Sequence, residues 1–422
     1  MKRLFYCFVA AMLFVACVKE DATIAKIEEV KNPYAVTTDE AVELLQTVIG
    51  GESTRAISVG EIKTLRKSDF VPTTRGADDG DLIYIVDLEN GGSAIMGADK
   101  RMEPIYAILD ETKISPEKLT QVATRGDDGK EDIEDFVMGM MNKKIEADAS
   151  AWALPEMPIV PINPYTYWTE TVIISQQAPL LKTKWHQHYP YNNNCPLKSS
   201  GVKCAAGCTP IALAQVIYYN QTPNTINNIS FDWELIGEYE YGVYDQSNSA
   251  TLEIANYIRT IGNAINTSYD DNGSFASLES ACNLLNNSGY KNVSFTRYAY
   301  YTVRDLVHMN NLPVPISGYN NDRSVGHTWV FDGGNNYRVE NWVREEVDYK
   351  EYIEYIDSST TYTLLHCNYG YGGEHDGYYS SSIFDLTQML DNDCVDTSIG
   401  DIRCEGGGNY SYHLEMLTYL LD

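Results

Sequence analysis

Basic residues are scarce in this 422-residue chain: 31 Lys and Arg stand against 59 Asp and Glu, a formal net charge of −28. A surface this acidic repels phosphate backbones and anionic lipid faces, so nucleic acid is excluded as a partner, and so is a membrane met through the protein surface. Long apolar runs are lacking too. Past the first residues no stretch reaches the ~18 apolar residues of a membrane-spanning helix. None of the nine cysteines forms a C-x-x-C pair, which removes the commonest signature of a zinc site. Two look-alike polar loops, Thr74–Gly80 and Thr124–Gly129, are too short and too few to indicate a repeat architecture. What remains is globular: 44% hydrophobic residues, in a length that allows two or three domains at roughly 100–200 residues each. Tyrosine is unevenly placed, since of 32 only Tyr6, Tyr34, Tyr84 and Tyr106 precede residue 151.

The chain opens on Met1-Lys2-Arg3, then a mostly apolar run from Leu4 to Ala16, then Cys17. That run is too short to span a bilayer and reads as a signal-peptide core. Its end, Leu13-Phe14-Val15-Ala16-Cys17, resembles a bacterial lipobox, and Val18-Lys19-Glu20-Asp21 resembles the surface-export signal of Bacteroidetes lipoproteins. Cys17 is the expected lipidation site, so contact with a membrane is expected through a lipid anchor alone, at the cell surface or outer membrane. Residues 22–148 mix helix and strand patterning: a helix over Asp39–Val48, a strand over Asp81–Leu88, a Gly91-Gly92 turn into a second strand at Ser93–Met96, and a helix over Asp132–Ala147. Pro155, Pro158, Pro161 and Pro164 punctuate a linker, placed at 149–164. Residues 165–422 are long enough for a complete enzyme domain.

The most informative stretch is Gly207-Cys208-Thr209-Pro210 and the apolar run behind it, through Gln215 to Tyr219. Pro is tolerated only in the first turn of a helix, so a helix begins at or just after Cys208. A thiol there feels the positive end of the helix dipole, which favours the thiolate. Gly207 lets the chain turn sharply and a substrate approach closely. From the helix alone, a buried structural Cys or a disulfide with Cys204 is equally good.

Three more segments bear on the choice: Trp185–Asn192 with Gln187, Gly326-His327-Thr328-Trp329-Val330-Phe331-Asp332-Gly333, and Cys367-Asn368-Tyr369-Gly370-Tyr371-Gly372-Gly373. The order Gln, Cys, His, Asn is that of papain-like cysteine peptidases, and the chain more closely resembles the streptopain family. That family carries W-x-Q-x-x-P-Y/F-N, G-C-x-x-x-x-x-A-Q, G-H-x-x-V-x-D-G and N-W-G-W-G-G in this order. Gly91–Arg101 resembles the G-G-F-x-x-x-S-G-D-K-R pattern of the family's propeptide. The resemblance implies an α+β papain-like fold, a helical half plus an antiparallel sheet half, behind an α+β propeptide that inhibits it. It implies an exported endopeptidase made as a zymogen, without cofactor or metal, acting on proteins or peptides through a thioester. Cys208 would be the nucleophile, His327 the base and then the acid, Asn368 the acceptor that orients the imidazole, and Gln187 an oxyanion donor. Gly207, Ser274, Gly326 and Tyr369 would line the substrate cleft. Tyr369 and Tyr371 stand where the family has Trp, the first being expected to shield the His–Asn hydrogen bond. The rivals are a papain-like amidase acting on peptidoglycan or another non-protein amide, and a catalytically inactive surface-binding lipoprotein. Activation is expected by cleavage between Arg125 and Pro164, with Arg125 and Lys143-Lys144 offered to an activating protease.

Ser268–Glu279 nearly matches a calcium loop but begins on Ser, and reads better as a Gly/Ser loop before a helix. With Cys7, Cys17 and Cys208 set aside, six cysteines remain, enough for three disulfides in an exported chain; Cys195–Cys204 and Cys394–Cys404 would close short loops.

Overall fold

The computed structural model describes residue 32 and residues 34–50, 58–71, 79–120, 133–151, 165–243, 247–319, 326–348, 351–384, 394–397, 401–404 and 413–421. Cys17, Arg125 and most of the proline-rich linker lie outside them.

The front of the chain folds as its patterning dictates. Helix α1 (Thr38–Gly50) starts on a reciprocal cap: the Thr37 hydroxyl accepts the Glu40 N–H at 3.2 Å, and the Glu40 carboxylate accepts the Thr37 N–H at 2.7 Å. Strands β1 (Val59–Arg66), β2 (Asp81–Leu88), β3 (Ser93–Gly97) and β4 (Ile105–Leu109) form an antiparallel meander. Strands β3 and β4 are buried along their whole length, as suits strands covered on both faces. Short helix α2 (Pro116–Thr120) leads to α3 (Ile133–Ala151), which buries Phe136, Val137, Met138, Met140, Met141 and Ile145.

The rest of the chain continues the same sheet rather than starting a separate one. Strand β4 pairs with Gly377–Ser380, and the antiparallel order runs on through Glu351–Asn368, Gly326–Asp348, Val314–Tyr319, His413–Leu420 and Lys291–Arg297, eleven strands in all with β5 (Tyr165–Gln177) beside Gly326–Asp348. On one side, helix α4 (Cys208–Asn220) packs with Asn248–Ala264 and Leu278–Asn286 in an aromatic-rich core around Trp185 and Tyr257. A second core is shared: Phe136, Met140 and Met141 of α3 sit in one cluster with Trp329, Phe331, Tyr369, Tyr379 and Phe384. The result is an α+β molecule with helices beside a sheet, as expected.

Strands Gly326–Asp348 and Glu351–Asn368 are one long hairpin. Its inner end is buried and carries His327 and Asn368, whereas residues 351–361 are exposed throughout, and β5 flanks the opposite strand of the hairpin from Gly334 to Glu345. The Tyr-rich insertion is therefore an outward extension of the site's own strands.

Two expectations fail here. Lys143 and Lys144 are not offered as an exposed site, since both are half-buried on α3, the helix expected there, and Lys144 is held by Asp148 at 2.5 Å. Burial of the helix pulls the Lys143 ammonium down to about 8. A protease needs extended backbone, so this pair is a poor site while α3 is folded. Nor are Cys195 and Cys204 bridged: both are buried free thiols. Their loop is closed instead by the Leu197–Lys203 bridge, by the Cys204 N–H on the Pro196 carbonyl at 2.9 Å and by the Asn192 amide on the Cys204 carbonyl at 3.0 Å. Cys282 and Cys367 are free as well, while Cys394 and Cys404 occupy opposed positions in a small hairpin.

Candidate active site

Gly207 ends the approach to α4 with φ +98, a conformation that disfavours any L side chain. A Cβ there would meet Pro210 Cδ at 3.1 Å and the Ser274 carbonyl at 3.4 Å. Cys208 thus opens the helix with no side-chain cap in front of it, leaving the first N–H groups and the positive end of the dipole at the thiol. Behind it, every residue from Thr209 to Ile217 is buried, which fixes the helix and its first residue.

His327 begins the strand Gly326–Asp348, opposite Gly318. A side chain at Gly326 would collide with the Tyr319 ring, so this glycine serves close strand packing. The His327 Nε2 lies 2.8 Å from the Tyr369 carbonyl oxygen. A carbonyl only accepts, so Nε2 carries the proton and Nδ1 is left for the thiol. Burial alone would raise the Cys208 pKa. Hydrogen bonding to His327, the charge of its ring, and hydrogen bonds from the Thr328 backbone and hydroxyl outweigh this and bring the thiol down to about 7. The Thr328 hydroxyl is itself fixed, 2.9 Å from Thr209 Oγ1 and 2.7 Å from Ser317 Oγ.

Asn368 corrects the sequence reading. Its side chain does not bond the imidazole: Oδ1 accepts from Gln215 Nε2 and from the Gly370 N–H, both at 3.1 Å, and Nδ2 donates to the Thr183 carbonyl at 2.8 Å. The orienting acceptor is the next residue's backbone. Tyr369 is corrected as well. Its ring is 1% exposed, so it lines no cleft; it lies within the core between Trp329 and Tyr379, with its centroid 6.1 Å from that of His327. Tyr371, half-buried, has its ring centroid 5.3 Å from that of His327. The Tyr369 N–H is held by Asp376 Oδ1 at 2.8 Å, a buried carboxyl that desolvation pushes up to about 7.

The other expected residues fall around this pair. Gln187 is half-buried, and its carbonyl accepts the Ala206 N–H at 2.8 Å, which ties its segment to the residues just before Cys208. Ser274 sits under Gly207, but its hydroxyl is turned inward onto the Ala205 carbonyl at 2.6 Å, so it shapes the floor rather than offering a polar group. In the near-calcium loop, Asp270 Oδ1 is taken by the N–H groups of Asn272 and Gly273, and Asp271 by Ser199.

The sequence did not announce Phe136. From α3 in the front half, its ring meets His327 edge-on, centroids 5.9 Å apart at 70°, and meets Trp329 at 5.7 Å. Nor did it announce Thr183, and it named Gln215 only as the last residue of a motif, although an amide inside a buried apolar run is a signal that something buried needs a partner.

Residues 185–379 match the model of the Peptidase C10 family. Among solved structures, a Cys-to-Ala mutant of a prointerpain A fragment from Prevotella intermedia is 17% identical, with a TM-score of 0.52 over 85% of this chain and 99% of that one. The active wild-type interpain A cysteine protease of the same organism is 19% identical, with a TM-score of 0.40 over 59% of this chain and 97% of that one. No curated protein matches the chain. The first of these structures extends the likeness of fold to 85% of the chain, beyond residues 185–379.

Proposed function

We propose that this chain is a cysteine peptidase of the Peptidase C10 family, whose model residues 185–379 match, and that it is an exported endopeptidase made as a latent zymogen. The Cys208 thiolate attacks the scissile carbonyl carbon, and the resulting oxyanion takes hydrogen bonds from the Cys208 N–H and the Gln187 side chain, each donor worth ~2.7–4 kcal/mol. His327, protonated in the ion pair, gives its proton to the departing amine as the C–N bond breaks, leaving a thioester on Cys208. Water then attacks the thioester, His327 takes its proton, and the thiolate leaves with the acid product released. The Tyr369 carbonyl keeps the imidazole aimed through both steps.

The single observation that carries this reading is Cys208 at the uncapped start of a buried helix with His327 held behind it by the Tyr369 carbonyl at 2.8 Å; the lowering of the thiol toward about 7 agrees with it. Latency is supported by Phe136, which brings the front half onto the catalytic base. The lipobox-like run ending in Cys17 supports tethering outside the cell, with cleavage between the halves releasing the enzyme. Digestion of casein or a fluorescent peptide by the full-length chain, before and after nicking with trypsin, tests the reading. Cys208-dependent cleavage of protein after nicking supports it. Hydrolysis of peptidoglycan amides alone would favour the amidase, and a Cys208 that no epoxide labels would favour an inactive binding lipoprotein.

A further inference from the structure

Three segments far apart in sequence meet in a closed ring of buried hydrogen bonds beneath the catalytic pair. The Thr183 hydroxyl donates to Gln215 Oε1 at 2.6 Å, Gln215 Nε2 donates to Asn368 Oδ1 at 3.1 Å, and Asn368 Nδ2 donates to the Thr183 carbonyl at 2.8 Å. All three residues are buried, Gln215 completely. The ring permits one arrangement only. Asn368 Oδ1 accepts the Gly370 N–H and Nδ2 meets a carbonyl, so backbone groups dictate which way this amide points. Gln215 must then present its NH2 to Asn368 and its oxygen to Thr183.

We infer that Gln215 is a positioning residue for the peptidase reaction, acting through Asn368 to hold the turn whose Tyr369 carbonyl aims His327. Resting on the function proposed above, the inference assigns the ring to the base rather than to general stability. Each member belongs to a different working part. Gln215 lies two turns along the helix that begins with Cys208. Thr183 lies four residues before Gln187. Asn368 immediately precedes the carbonyl that accepts from His327 Nε2. Gly370, at φ +70, completes the turn, and Ile211 of the same helix stands 3.1 Å from where its Cβ would be. A shift of this turn moves the Tyr369 carbonyl directly, while substrate contacts are left in place.

The test uses Gln215→Glu, which keeps the shape but places carboxylate oxygens against Asn368 Oδ1, together with Thr183→Val and Thr183→Ser. Each variant of the full chain is nicked with trypsin. Then kcat, KM and the pH dependence of Cys208 alkylation by iodoacetamide are measured, with near-ultraviolet circular dichroism to confirm folding. Gln215→Glu and Thr183→Val should lower kcat by about ten- to a hundred-fold, the scale of a misplaced catalytic group, with KM within about two-fold. Both should move the alkylation midpoint upward from about 7, as the thiolate loses a well-aimed imidazolium. Thr183→Ser keeps the hydroxyl and should restore the parent values. Folded variants with the parent kcat and alkylation profile, or with losses confined to KM, overturn the inference. If Gln215→Glu does not fold, the Val and Ser pair decides by the same criteria. A wild-type enzyme lacking Cys208-dependent hydrolysis would instead overturn the function on which the inference rests.

Discussion

The two sides of the proposed catalytic pair are held in different ways. Cys208 is placed by its own helix: a glycine in front, a proline in the first turn, and a buried body behind. His327 is placed by residues from elsewhere. The Tyr369 carbonyl orients its ring, a buried carboxyl at Asp376 holds that residue's N–H, and Phe136 from the front half covers the ring edge. The nucleophile is thus a local construction and the base a collective one. On the proposed function, a collective base can be switched from outside the second half of the chain, whereas a locally built nucleophile stays formed whether or not the front half is attached.

The largest effects should come from the pair itself. Cys208→Ala should abolish hydrolysis and epoxide labelling while circular dichroism stays unchanged, and His327→Ala should come close to this because the pair acts as a unit. Their pH behaviour separates the two sides. Alkylation of Cys208 in the parent enzyme should rise with pH through about 7, since only the thiolate reacts. His327→Ala removes the hydrogen bond and the charge that lower the thiol, so the midpoint should climb toward that of an ordinary cysteine. An unmoved midpoint would mean that the helix dipole alone activates Cys208, and the comparison would collapse.

Next in size is latency. The uncut chain should show only background activity and the nicked chain full activity, with sequencing of the new N-terminus locating the cut. Full activity in the uncut chain, or a new N-terminus beyond Gln187, breaks the zymogen model. Phe136→Leu should raise the background of the uncut chain by about two- to ten-fold, the loss of an aromatic edge contact worth ~0.5–1.5 kcal/mol. The same substitution should leave the nicked enzyme's kcat unaltered, as long as Phe136 acts only on the closed form.

The local side of the comparison is also the legible one. Pro210, Gly207 and the apolar run behind them specify the helix at Cys208, and the short apolar run Trp329-Val330-Phe331 marks the strand that carries His327. Strands β2 and β3 and the helices α1 and α3 follow from periodicity and turn glycines in the same way. Asn368 was legible as a member of the site but not in its role. Whether an amide faces the imidazole or the opposite way depends on Thr183 and Gln215, and nothing local to residues 366–373 encodes them. Phe136 was hidden for the same reason, being one apolar residue among many on a helix whose partner lies almost two hundred positions on. The Cys195–Cys204 pairing failed because short spacing permits a bridge, while backbone hydrogen bonds had already closed the loop.

The smallest expected effect concerns Tyr369, where sequence and structure give opposite advice. If its ring shielded a His–Asn bond from solvent, a larger indole would preserve or raise turnover. The structure gives the work to its carbonyl and leaves the ring in the core, 1% exposed, with a hydroxyl that finds no oxygen or nitrogen partner among the described residues and has the Cys367 thiol as its polar neighbour. Phenylalanine keeps the backbone acceptor and the packing while removing a buried, poorly satisfied group, which ordinarily costs ~1–3 kcal/mol. Tyr369→Phe should therefore leave kcat and KM within about two-fold and raise stability by about 1 kcal/mol. Tyr369→Trp must fit extra atoms between Trp329 and Tyr379 and should destabilise by ~1–3 kcal/mol. Thermal melts and peptide kinetics on both variants check this. A ten-fold loss in the Phe variant would show that the hydroxyl, and not only the carbonyl, takes part in holding His327, moving Tyr369 from the scaffold of the base into the machinery itself.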